Sequence, residues 1–489
     1  MAGIVSYGGY LPRNRLPRMT VVQNMAWFNP VIFAVAKGER TVANWDEDAL
    51  TMAVAAACDC SRDADMEKVD TLFYATTTPP FLDRQNAGII ANALNLPEEG
   101  VRTSDFTGSL KSGTGALITA CEIASNGASS AIMVTASDNR MAKSATMYEM
   151  FIGDGAAAVM VGDDNVIAEY LGSYSIQHDL VDHYRSPGKK FDYNWEERWV
   201  RDEGYATIIP EAIKGFLSQH SVKMEDVSHV VYPCYYNREH RNIAKKLGLP
   251  EEKVQDNLHD NCGDTGSAHP LLMLNPVLDK AKPGEIIVVA GFGQGCDVLG
   301  FRVTDNIKKI TRPRGFTASL GRRIEMASYP KYLKFRDMLE ADMGIRGESV
   351  KNTPLTTLWR HRKMILGMTG SKCRACGNVQ FPPAPVCVNP ECNAVNNMED
   401  YHFSGRTARV LMYTGDMLAA SIDPPAIYGL VEFEGGGRTM LDFTDCQLDN
   451  VSVGMEMALS FRRKYRDDMR GFSGYFWKAV PKAEEVSHG

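Results

Sequence analysis

The sequence predicts an α/β body built from two similar halves, followed by a small metal-binding module and a small β-barrel. Three observations lead to this prediction. Five sequence blocks recur in the same order about 150 residues apart, strand-like runs alternate with helical runs, and four cysteines fall between positions 373 and 392.

The recurring blocks predict which strands and helices correspond in the two halves. In each half, polar residues lead into an apolar, β-branched run that is typical of a buried strand, and a Gly/Ser-rich turn opens a helix. The matched pairs are MEKVDTLFYATTTPP with MEDVSHVVYPCYYN, LNLPEEGV with LGLPEEKV, SLKSGTGALITA with NCGDTGSAHPLLML, SSAIMVTASDN with GEIIVVAGFGQG, and GAAAVMVGDDN with CDVLGFRVTDN.

The order of these elements predicts the domain organisation. Strands that alternate with helices favour mostly parallel sheets covered by helices, so we predict one half over residues 1–165 and the other over residues 166–345. Matching loops of the two halves should face one shared pocket. A basic, helical-looking stretch lies between about residues 311 and 371. We assign residues 346–400 to a linker with the cysteine cluster, and residues 401–489, where short strands alternate with glycine turns, to a barrel.

Composition excludes several classes of protein. The chain has 489 residues, 44% hydrophobic and 23% charged, with a formal net charge of -7, which is typical of a soluble globular protein and argues against a nucleic-acid partner. No run approaches the roughly 18 consecutive apolar residues of a membrane-spanning helix, and the first residues lack the apolar core of a signal peptide. We therefore expect a cytoplasmic protein with no membrane partner.

The cysteine cluster predicts a zinc site. Cys373 and Cys376 form a C-x2-C pair, Cys387 and Cys392 supply a second pair, and GNVQFPPAP provides a turn between them. Two short-range thiolate pairs are what tetrahedral structural zinc requires, and a site with four protein ligands is closed to substrate. A ribbon without metal is the alternative.

Several stretches carry a resemblance to a known family. GIVSYGGYLPRNRL, DEDALTMAVAAA, GDGAAAVMV, GFGQGCDVLGFRVTD and the later YPKYLKFRDM resemble the thiolase superfamily, in particular hydroxymethylglutaryl-CoA synthases and ketoacyl-ACP synthase III enzymes. From Cys373 onward, CRACGNVQFPPAPVC and PPAIYGLVEFEGGGRTMLDF are similar to a rubredoxin-like zinc ribbon with an OB-fold that accompanies thiolase-type enzymes.

The resemblance implies a duplicated thiolase-like fold of αβαβα layers with a C-terminal zinc ribbon and a small β-barrel of the OB type. It implies that a coenzyme A thioester is the substrate and that a carbon–carbon bond is made or broken beside the thioester carbonyl. It further implies a homodimer, and it makes a partner thiolase an additional expectation.

The resemblance also places the family's catalytic positions on this chain. Aligning DFTGSLKSGTGAL without a gap puts Leu110 at the position of the nucleophilic cysteine, and leucine cannot be acylated. Thr77 stands at the position of a catalytic glutamate. Pro233 or Cys234 takes the place of the histidine, and Asp264 takes that of its partner asparagine.

Two sets of residues could therefore carry the chemistry. A substitute nucleophile would be Ser109, Ser112, Cys234 or Cys262, although the serines could instead cap the next helix and the cysteines could simply be buried.

Acid–base catalysis without an acyl-enzyme would use a different set. Asp264 is the candidate base, with an Asx-turn as its alternative. Tyr235 or Tyr236 would be a proton donor or acceptor, unless both are buried aromatics. Backbone donors of the glycine-rich loop at Gly293 and Gly295 would hold an oxyanion. Of His240, His259 and His269, which could each be structural, His269 is the best placed to reach the site, because it lies one turn into the helix after Asp264.

Three functions follow as hypotheses. The first is an acyl-CoA enzyme that makes or breaks a carbon–carbon bond by aldol or retro-aldol chemistry through a thioester enolate, without a cysteine acyl-enzyme. The second is a synthase-like acyltransferase with a substitute nucleophile. The third is a non-catalytic acyl-CoA-binding scaffold for a separate thiolase.

Overall fold

The computed structural model of the chain describes residues 1–194, 196–310, 314–348 and 352–482. Residues 311–313 and 349–351 of the basic stretch lie outside the described residues. The chain forms two compact units. The first comprises residues 1–43, 48–90 and 96–336, and the second comprises residues 44–47, 91–95 and 337–489.

Most strands of the first unit belong to one large sheet. The predicted boundary at residue 165 falls between two of these strands, β7 and β8. The strands are β1 Gly3–Tyr10, β2 Asn14–Pro17, β3 Glu39–Val42, β4 Thr71–Ala75, β5 Arg102–Phe106, β6 Ala131–Asp138, β7 Gly155–Gly162, β8 Ala168–Gln177, β9 His183–Tyr184, β10 Tyr193–Asn194, β11 Val227–Val231, β12 Ile286–Phe292, β13 Gly295–Val303 and β14 Ile324–Glu325.

The helices alternate with these strands as predicted. A π-helical stretch, Val200–Ile208, joins α6 to α7. The helices up to residue 336 are α1 Arg18–Met25, α2 Ala49–Cys60, α3 Asn86–Ala93, α4 Ser112–Ser125, α5 Met147–Phe151, α6 Glu197–Trp199, α7 Ile209–Gln219, α8 Asn237–Lys246, α9 His259–Cys262, α10 His269–Leu278, α11 Gly315–Leu320 and α12 Tyr329–Phe335.

The strand order confirms the duplication. The large sheet runs β11-β12-β13-β8-β1-β7-β6-β4-β5, so β1 and β8 meet at the centre. Outward from β1 come β7, β6, β4 and β5; outward from β8 come β13, β12 and β11, and then an isolated bridge from Val230 to Val254. The order of strands outward from β1 thus matches the order outward from β8, as the recurring blocks predict.

Helices α4 and α10 form the middle layer of this body. Each contacts strands from both halves of the sheet, whereas α2 packs on β1, β7 and β6 and α7 packs on β8, β13 and β12. Within the described strands, the two halves of the sheet are joined only where Gly3 and Ile4 of β1 pair with Glu169 and Ala168 of β8, and each half packs against α4 and α10. The halves therefore count as two β layers, which gives the αβαβα order that the resemblance implies. Small side chains allow this close layering, and β7 (GAAAVMVG) is buried along its whole length.

The second unit contains two small sheets and two short helices. The first sheet has the order β16-β15-β17, and the second has the order β20-β19-β18-β21-β22 with a parallel bridge from Phe443 to Ala479 that joins its outer segments. This closure fits the expected small barrel, and the OB assignment stays a prediction. The elements are α13 Leu355–Arg360, α14 Arg362–Gly367, β15 Thr369–Cys373, β16 Val379–Gln380, β17 Met398–His402, β18 Ala408–Asp416, β19 Ala426–Phe433, β20 Arg438–Asp442, β21 Glu456–Asp467 and β22 Phe472–Pro481.

Across the described part of the chain, no helix combines the length and the apolar character needed to cross a bilayer.

Candidate functional site

Two matching turns of the repeat lie in contact at the middle layer. The first-half turn, residues 108–113, leads into α4, and the second-half turn, residues 263–268, leads into α10. A Cβ placed on Gly113 would lie 2.2 Å from the carbonyl oxygen of Ser267, so the two backbones touch where only glycine fits. The structure therefore brings the two predicted site loops together.

The first-half turn presents backbone rather than side-chain chemistry. Leu110 is 7% exposed, and its amide N–H donates to no described residue. A Cβ on Gly293 would lie 2.9 Å from the amide nitrogens of Leu110 and Lys111, so the glycine leaves open the space that these amides face. The amide of Lys111 already donates to the hydroxyl of Ser109 at 3.3 Å, so among the described residues the amide of Leu110 is the one left free at this turn. A free amide at the start of a helix favours a developing negative charge.

The structure also shows that the amide of Gly293 is not available to an oxyanion. The amide of Gly293 donates to the carbonyl of Gly295 at 3.0 Å and is therefore used inside its own loop. Gly295 has a φ of +114°, which glycine adopts without strain. The candidate oxyanion donor thus moves from Gly293 to the backbone of Leu110.

Both serines of the first-half turn are engaged with backbone groups. The Ser109 hydroxyl donates to the carbonyl of Gly293 at 2.7 Å, and the Ser112 hydroxyl donates to the carbonyl of Ser109 at 2.6 Å. No described histidine, carboxylate or lysine contacts either hydroxyl. A serine nucleophile needs such a base.

Asp264 occupies the second-half turn with one carboxylate oxygen unused. Its amide donates to the carbonyl of Phe151 at 2.8 Å, which ties the turn to the end of α5. Its Oδ1 accepts from the amide of Gly266 at 2.8 Å, the Asx-turn of the alternative reading, and from Arg140 at 3.2 Å. Its Oδ2 accepts no hydrogen bond from the described residues. The Asp264 side chain therefore closes the Asx-turn with Oδ1 and keeps Oδ2 as an acceptor that no described residue uses.

Arg140 belongs to an ion-pair chain that sequence reasoning missed. Its guanidinium lies 3.2 Å from Asp192 and 3.2 Å from Asp264, and Asp192 also pairs with Arg185 at 2.7 Å. Arg140 follows β6 and Arg185 follows β9, so residues far apart in sequence meet at this site. A polar SDNR run at the end of β6 was the available signal, because loops at strand ends carry functional side chains in α/β proteins.

A second missed carboxylate, Asp138, holds Thr77. The amide and the hydroxyl of Thr77 both donate to Oδ1 of Asp138, at 2.7 and 2.9 Å, while the amide of Ser267 donates to Oδ2 at 2.7 Å. Asp138 is fully buried and so joins a loop of the first half to the second-half turn. Thr77, which the resemblance placed at the position of a glutamate, is thus held in place by Asp138.

Tyr235 belongs to a buried aromatic cluster. It stacks on Phe151 with 4.9 Å between ring centroids and meets Tyr205 at 5.5 Å; Tyr205 in turn lies 4.5 Å from Phe292 of the glycine-rich loop. Burial raises the pKa of Tyr235 and of Tyr205 well above the usual value, and the charge of nearby Asp264 adds to this effect. These phenols therefore remain protonated and can act as donors.

The candidate cysteines lie in surroundings that disfavour thiolate. Cys234 is fully buried with its thiol 3.7 Å from the carbonyl of Tyr236, and burial raises its pKa. The Cys262 thiol lies 3.3 and 3.2 Å from the carbonyls of Leu258 and Gly263, and burial raises its pKa to about 12. A protonated thiol is a poor nucleophile.

His269 is held at both ring nitrogens. Its Nδ1 accepts from the amide of Thr265 at 3.2 Å, and its Nε2 lies 3.0 Å from the carbonyl of Asn257. Both ring nitrogens are therefore engaged with backbone groups. The ring anchors the start of α10.

The cysteine cluster of the second unit has the geometry of a tetrahedral metal site. All four sulfurs lie within 4.8 Å of one another, with Cys373 to Cys392 at 3.8 Å and Cys376 to Cys387 at 3.6 Å. Zinc–sulfur bonds of about 2.3 Å in a tetrahedron place sulfurs about 3.8 Å apart. The residues therefore fit zinc, bound by four thiolates with no position left open to substrate.

Comparisons with known proteins agree with this architecture. Residues 217–303 match the family described as the C-terminal part of 3-oxoacyl-[acyl-carrier-protein] synthase III, and residues 369–396 match the ChsH2 rubredoxin-like zinc ribbon. The chain is 28% identical to the hydroxymethylglutaryl-CoA synthase of Methanocaldococcus jannaschii over 70% of this chain and 100% of that protein. It is 29% identical to the corresponding synthase of Pyrobaculum arsenaticum over 69% of this chain and 98% of that protein.

Solved structures show the same fold. A hydroxymethylglutaryl-CoA synthase complexed with CoA superposes with a TM-score of 0.63 at 17% identity, covering 72% of this chain and 94% of that one. A β-ketoacyl-[acyl carrier protein] synthase III from Thermus thermophilus superposes with a TM-score of 0.56 at 20% identity, covering 62% and 99%. The chain thus has a thiolase-like fold similar to that of hydroxymethylglutaryl-CoA synthases and ketoacyl synthase III enzymes, and its residues 369–396 match a rubredoxin-like zinc ribbon.

Proposed function

We propose that this protein acts on an acyl-CoA and makes or breaks a carbon–carbon bond through a thioester enolate, by aldol or retro-aldol chemistry and without an acyl-enzyme. The observation that carries the proposal is the pairing of a hydrocarbon side chain, Leu110, with a free backbone donor at the first-half turn. The first-half turn can stabilise negative charge on a thioester oxygen, but Leu110 has no nucleophilic atom that could bond to the thioester carbon.

The neighbouring nucleophiles support this proposal. The thiols of Cys234 and Cys262 are buried with raised pKa values, and the Ser109 hydroxyl donates to a backbone carbonyl. None of them has a described base in contact. The chemistry left to the site is therefore proton transfer and charge stabilisation.

The proposed steps use three groups of this chain. In the aldol direction, Oδ2 of Asp264 takes the α-proton of the acyl-CoA, and the enolate oxygen accepts a hydrogen bond from the amide of Leu110. The enolate carbon then bonds to a carbonyl carbon, and the resulting alkoxide takes its proton from Tyr235. Water returns a proton to Tyr235 and accepts the one held by Asp264, which restores both groups. The retro-aldol direction reverses each step. Because burial raises the pKa of Tyr235, the phenol is protonated when the alkoxide forms.

A direct test is exchange of the α-protons of acetyl-CoA, propionyl-CoA or 3-hydroxy-3-methylglutaryl-CoA in deuterated water, followed by NMR. Exchange requires a base and enolate stabilisation but no acyl-enzyme. We expect exchange by the wild-type protein and loss of exchange in Asp264→Asn. Absence of exchange with every one of these thioesters would contradict the proposal.

A synthase-like condensing enzyme with a substitute nucleophile is the second candidate. The observation that favours it is the similarity to hydroxymethylglutaryl-CoA synthases along almost their whole length. It predicts a covalent acyl adduct and condensation of acetyl-CoA with acetoacetyl-CoA. A scaffold for a separate thiolase predicts CoA binding with neither exchange nor adduct.

We further propose that Cys373, Cys376, Cys387 and Cys392 hold a structural zinc ion. Bound zinc would hold the two ligand pairs together and stiffen the ribbon. The backbone already shapes both ligand pairs: the amide of Gly377 donates to the carbonyl of Cys373 at 2.8 Å, and the amide of Cys392 donates to the carbonyl of Asn389 at 3.0 Å. One zinc per chain by metal analysis, lost in Cys376→Ser and kept in Cys446→Ser, is the expected result.

A further inference from the structure

The guanidinium of Arg140 is a buried charge with two acidic partners. Its side chain is 1% exposed, and it lies 3.2 Å from Asp192, 3.2 Å from Asp264 and 5.2 Å from the ring centroid of Tyr148. Arginine does not lose its proton in proteins, so a positive charge stands permanently at this place. Such a charge is tolerated in an interior only where acidic or polar partners compensate it.

The two carboxylates that contact Arg140 differ in how many of their oxygens are occupied. Asp192 uses both: Oδ1 pairs with Arg185 at 2.7 Å, and Oδ2 pairs with Arg140 at 3.2 Å. Asp264 uses only Oδ1, which accepts from Arg140 at 3.2 Å and from Gly266 at 2.8 Å. Among the described residues, none donates to Oδ2 of Asp264. Only Asp264 therefore keeps an oxygen with which to contact a substrate.

We propose that Arg140 is a positioning residue, which fixes Oδ1 of Asp264 so that Oδ2 is presented to the substrate. This inference rests on the proposed function. The guanidinium contacts its two acidic partners through separate nitrogens, Nε for Asp192 and a terminal nitrogen for Asp264. A planar guanidinium held by two contacts fixes the orientation of the Asp264 carboxylate as well as its distance. The ammonium group of a lysine is a point charge and would fix only the distance.

Asp192 and Arg185 complete the arrangement from the segment between β8 and α6. Arg185 pairs with Asp192 and also donates to the carbonyl of Thr77, so this segment is fastened to the loop after β4. The amide of Asp192 donates to the carbonyl of Met141 at 2.8 Å. Asp192 thereby holds Arg140 on the side away from Asp264.

Arg140 is the cationic group in direct contact with Asp264 in the described structure. Burial raises the pKa of the four nearby tyrosines and cysteines whose charges are coupled to Asp264, so they remain neutral near pH 7. The buried carboxylate of Asp138 lies next to Gly266. The groups that face Asp264 are therefore Arg140, Asp138, Tyr205, Tyr235, Cys234 and Cys262.

The test measures α-proton exchange of acetyl-CoA, propionyl-CoA and 3-hydroxy-3-methylglutaryl-CoA, each against pH, in the full-length protein. We expect Arg140→Lys to lower kcat about 10- to 100-fold with KM little changed, because the charge stays but the orientation is lost. We expect Arg140→Gln to lower kcat at least as much, because it removes the compensating charge as well as the orienting fork.

Arg314→Lys is the matched control. Arg314 is also almost fully buried, with its guanidinium 2.9 Å from the hydroxyl of Ser6 and 5.8 Å from the ring centroid of Tyr7. We expect this variant to lose thermal stability but to keep the wild-type kcat and pH profile, which separates a positioning role from a merely structural one.

The outcomes separate the two proposals. Absence of exchange by the wild type would overturn the proposed function. Exchange by the wild type together with a wild-type rate and profile in Arg140→Lys and Arg140→Gln would overturn only the role of Arg140. Should Arg140→Gln fail to fold, Arg140→Lys decides, because it preserves the buried charge; an unchanged kcat in that variant contradicts the inference.

Discussion

The first-half turn and the second-half turn are counterparts in a duplicated fold, yet they carry opposite chemistry. At the first, a hydrocarbon side chain and a free amide lie at the start of α4. At the second, a carboxylate with one occupied and one free oxygen lies ahead of α10. The duplication supplies two similar backbone frames, and the side chains divide charge stabilisation and proton transfer between them.

The contact between the turns makes this division useful. The backbone of Gly113 lies directly against the carbonyl of Ser267, and Asp138 ties the second-half turn to the loop after β4. Groups fixed on rigid, touching elements can act on one substrate without rearrangement. If the division of labour is correct, substitutions in the second-half turn should remove proton transfer and substitutions around the first-half turn should weaken enolate stabilisation.

The largest effect is expected for Asp264→Asn. An amide has almost the same shape and can still accept from Gly266, but it cannot take a proton. General-base catalysis contributes about 10²- to 10⁴-fold, and we expect a loss of that size in α-proton exchange. Binding of CoA, measured by calorimetry, should be unchanged. A loss of exchange below about tenfold would show that another residue is the general base.

Gly293→Ala tests the first-half turn. The new Cβ would lie 2.9 Å from the amide nitrogens of Leu110 and Lys111, and 2.7 Å from the hydroxyl of Ser109, so it would fill the space that an oxyanion needs. Removal of one oxyanion donor costs about 10²- to 10³-fold in rate, and we expect exchange to fall within that range. Gly321→Ala, at a glycine with open space around it and a φ of -71°, is the control for the alanine itself. Full exchange in Gly293→Ala would place the enolate oxygen elsewhere.

Tyr235→Phe should have a smaller effect that depends on the reaction. The phenol is proposed to donate to the alkoxide, and a hydrogen bond to a charged group contributes about 1.5–3 kcal/mol. We expect carbon–carbon bond formation or cleavage to slow about 10- to 100-fold, while α-proton exchange stays within about threefold. Equal losses in both reactions would show that Tyr235 acts before the bond-forming step.

The smallest effects are expected for Cys234→Ala and Cys262→Ala. Since burial raises the pKa of the Cys262 thiol to about 12, that thiol stays protonated throughout pH 7 to 9. Its labelling by iodoacetamide in the native protein should therefore remain slow over this range, and exchange should change less than about twofold in either variant. Rapid labelling, or loss of exchange in either variant, would show that these thiols take part in catalysis.

Sequence patterns predicted the frame of the molecule better than its site. The recurring blocks identified β4 with β11, β6 with β12 and β7 with β13, because a buried strand and its turn leave a local signature in the chain. The four zinc-binding cysteines were equally readable from their spacing. The αβαβα layers followed from the resemblance.

The arrangement around Asp264 could not be read in the same way. Arg140 and Asp264 are 124 positions apart, and the partner that compensates their charge comes from a third segment. Nothing local in the sequence pairs them, since the ion pairs arise only when loops from both halves meet. The choice of Leu110 rather than Gly293 as backbone donor also depends on which amide the folded loop leaves free.

The most direct test of the central claim is the intact mass of the protein after incubation with acetyl-CoA under conditions in which its α-protons exchange. Leu110→Cys is the matched positive control, because a thiol at the start of α4 should become reactive and gain the mass of one acetyl group. The account predicts exchange by the wild-type protein with no change in its mass. A wild-type acetyl adduct that forms and decays at the rate of turnover would contradict it.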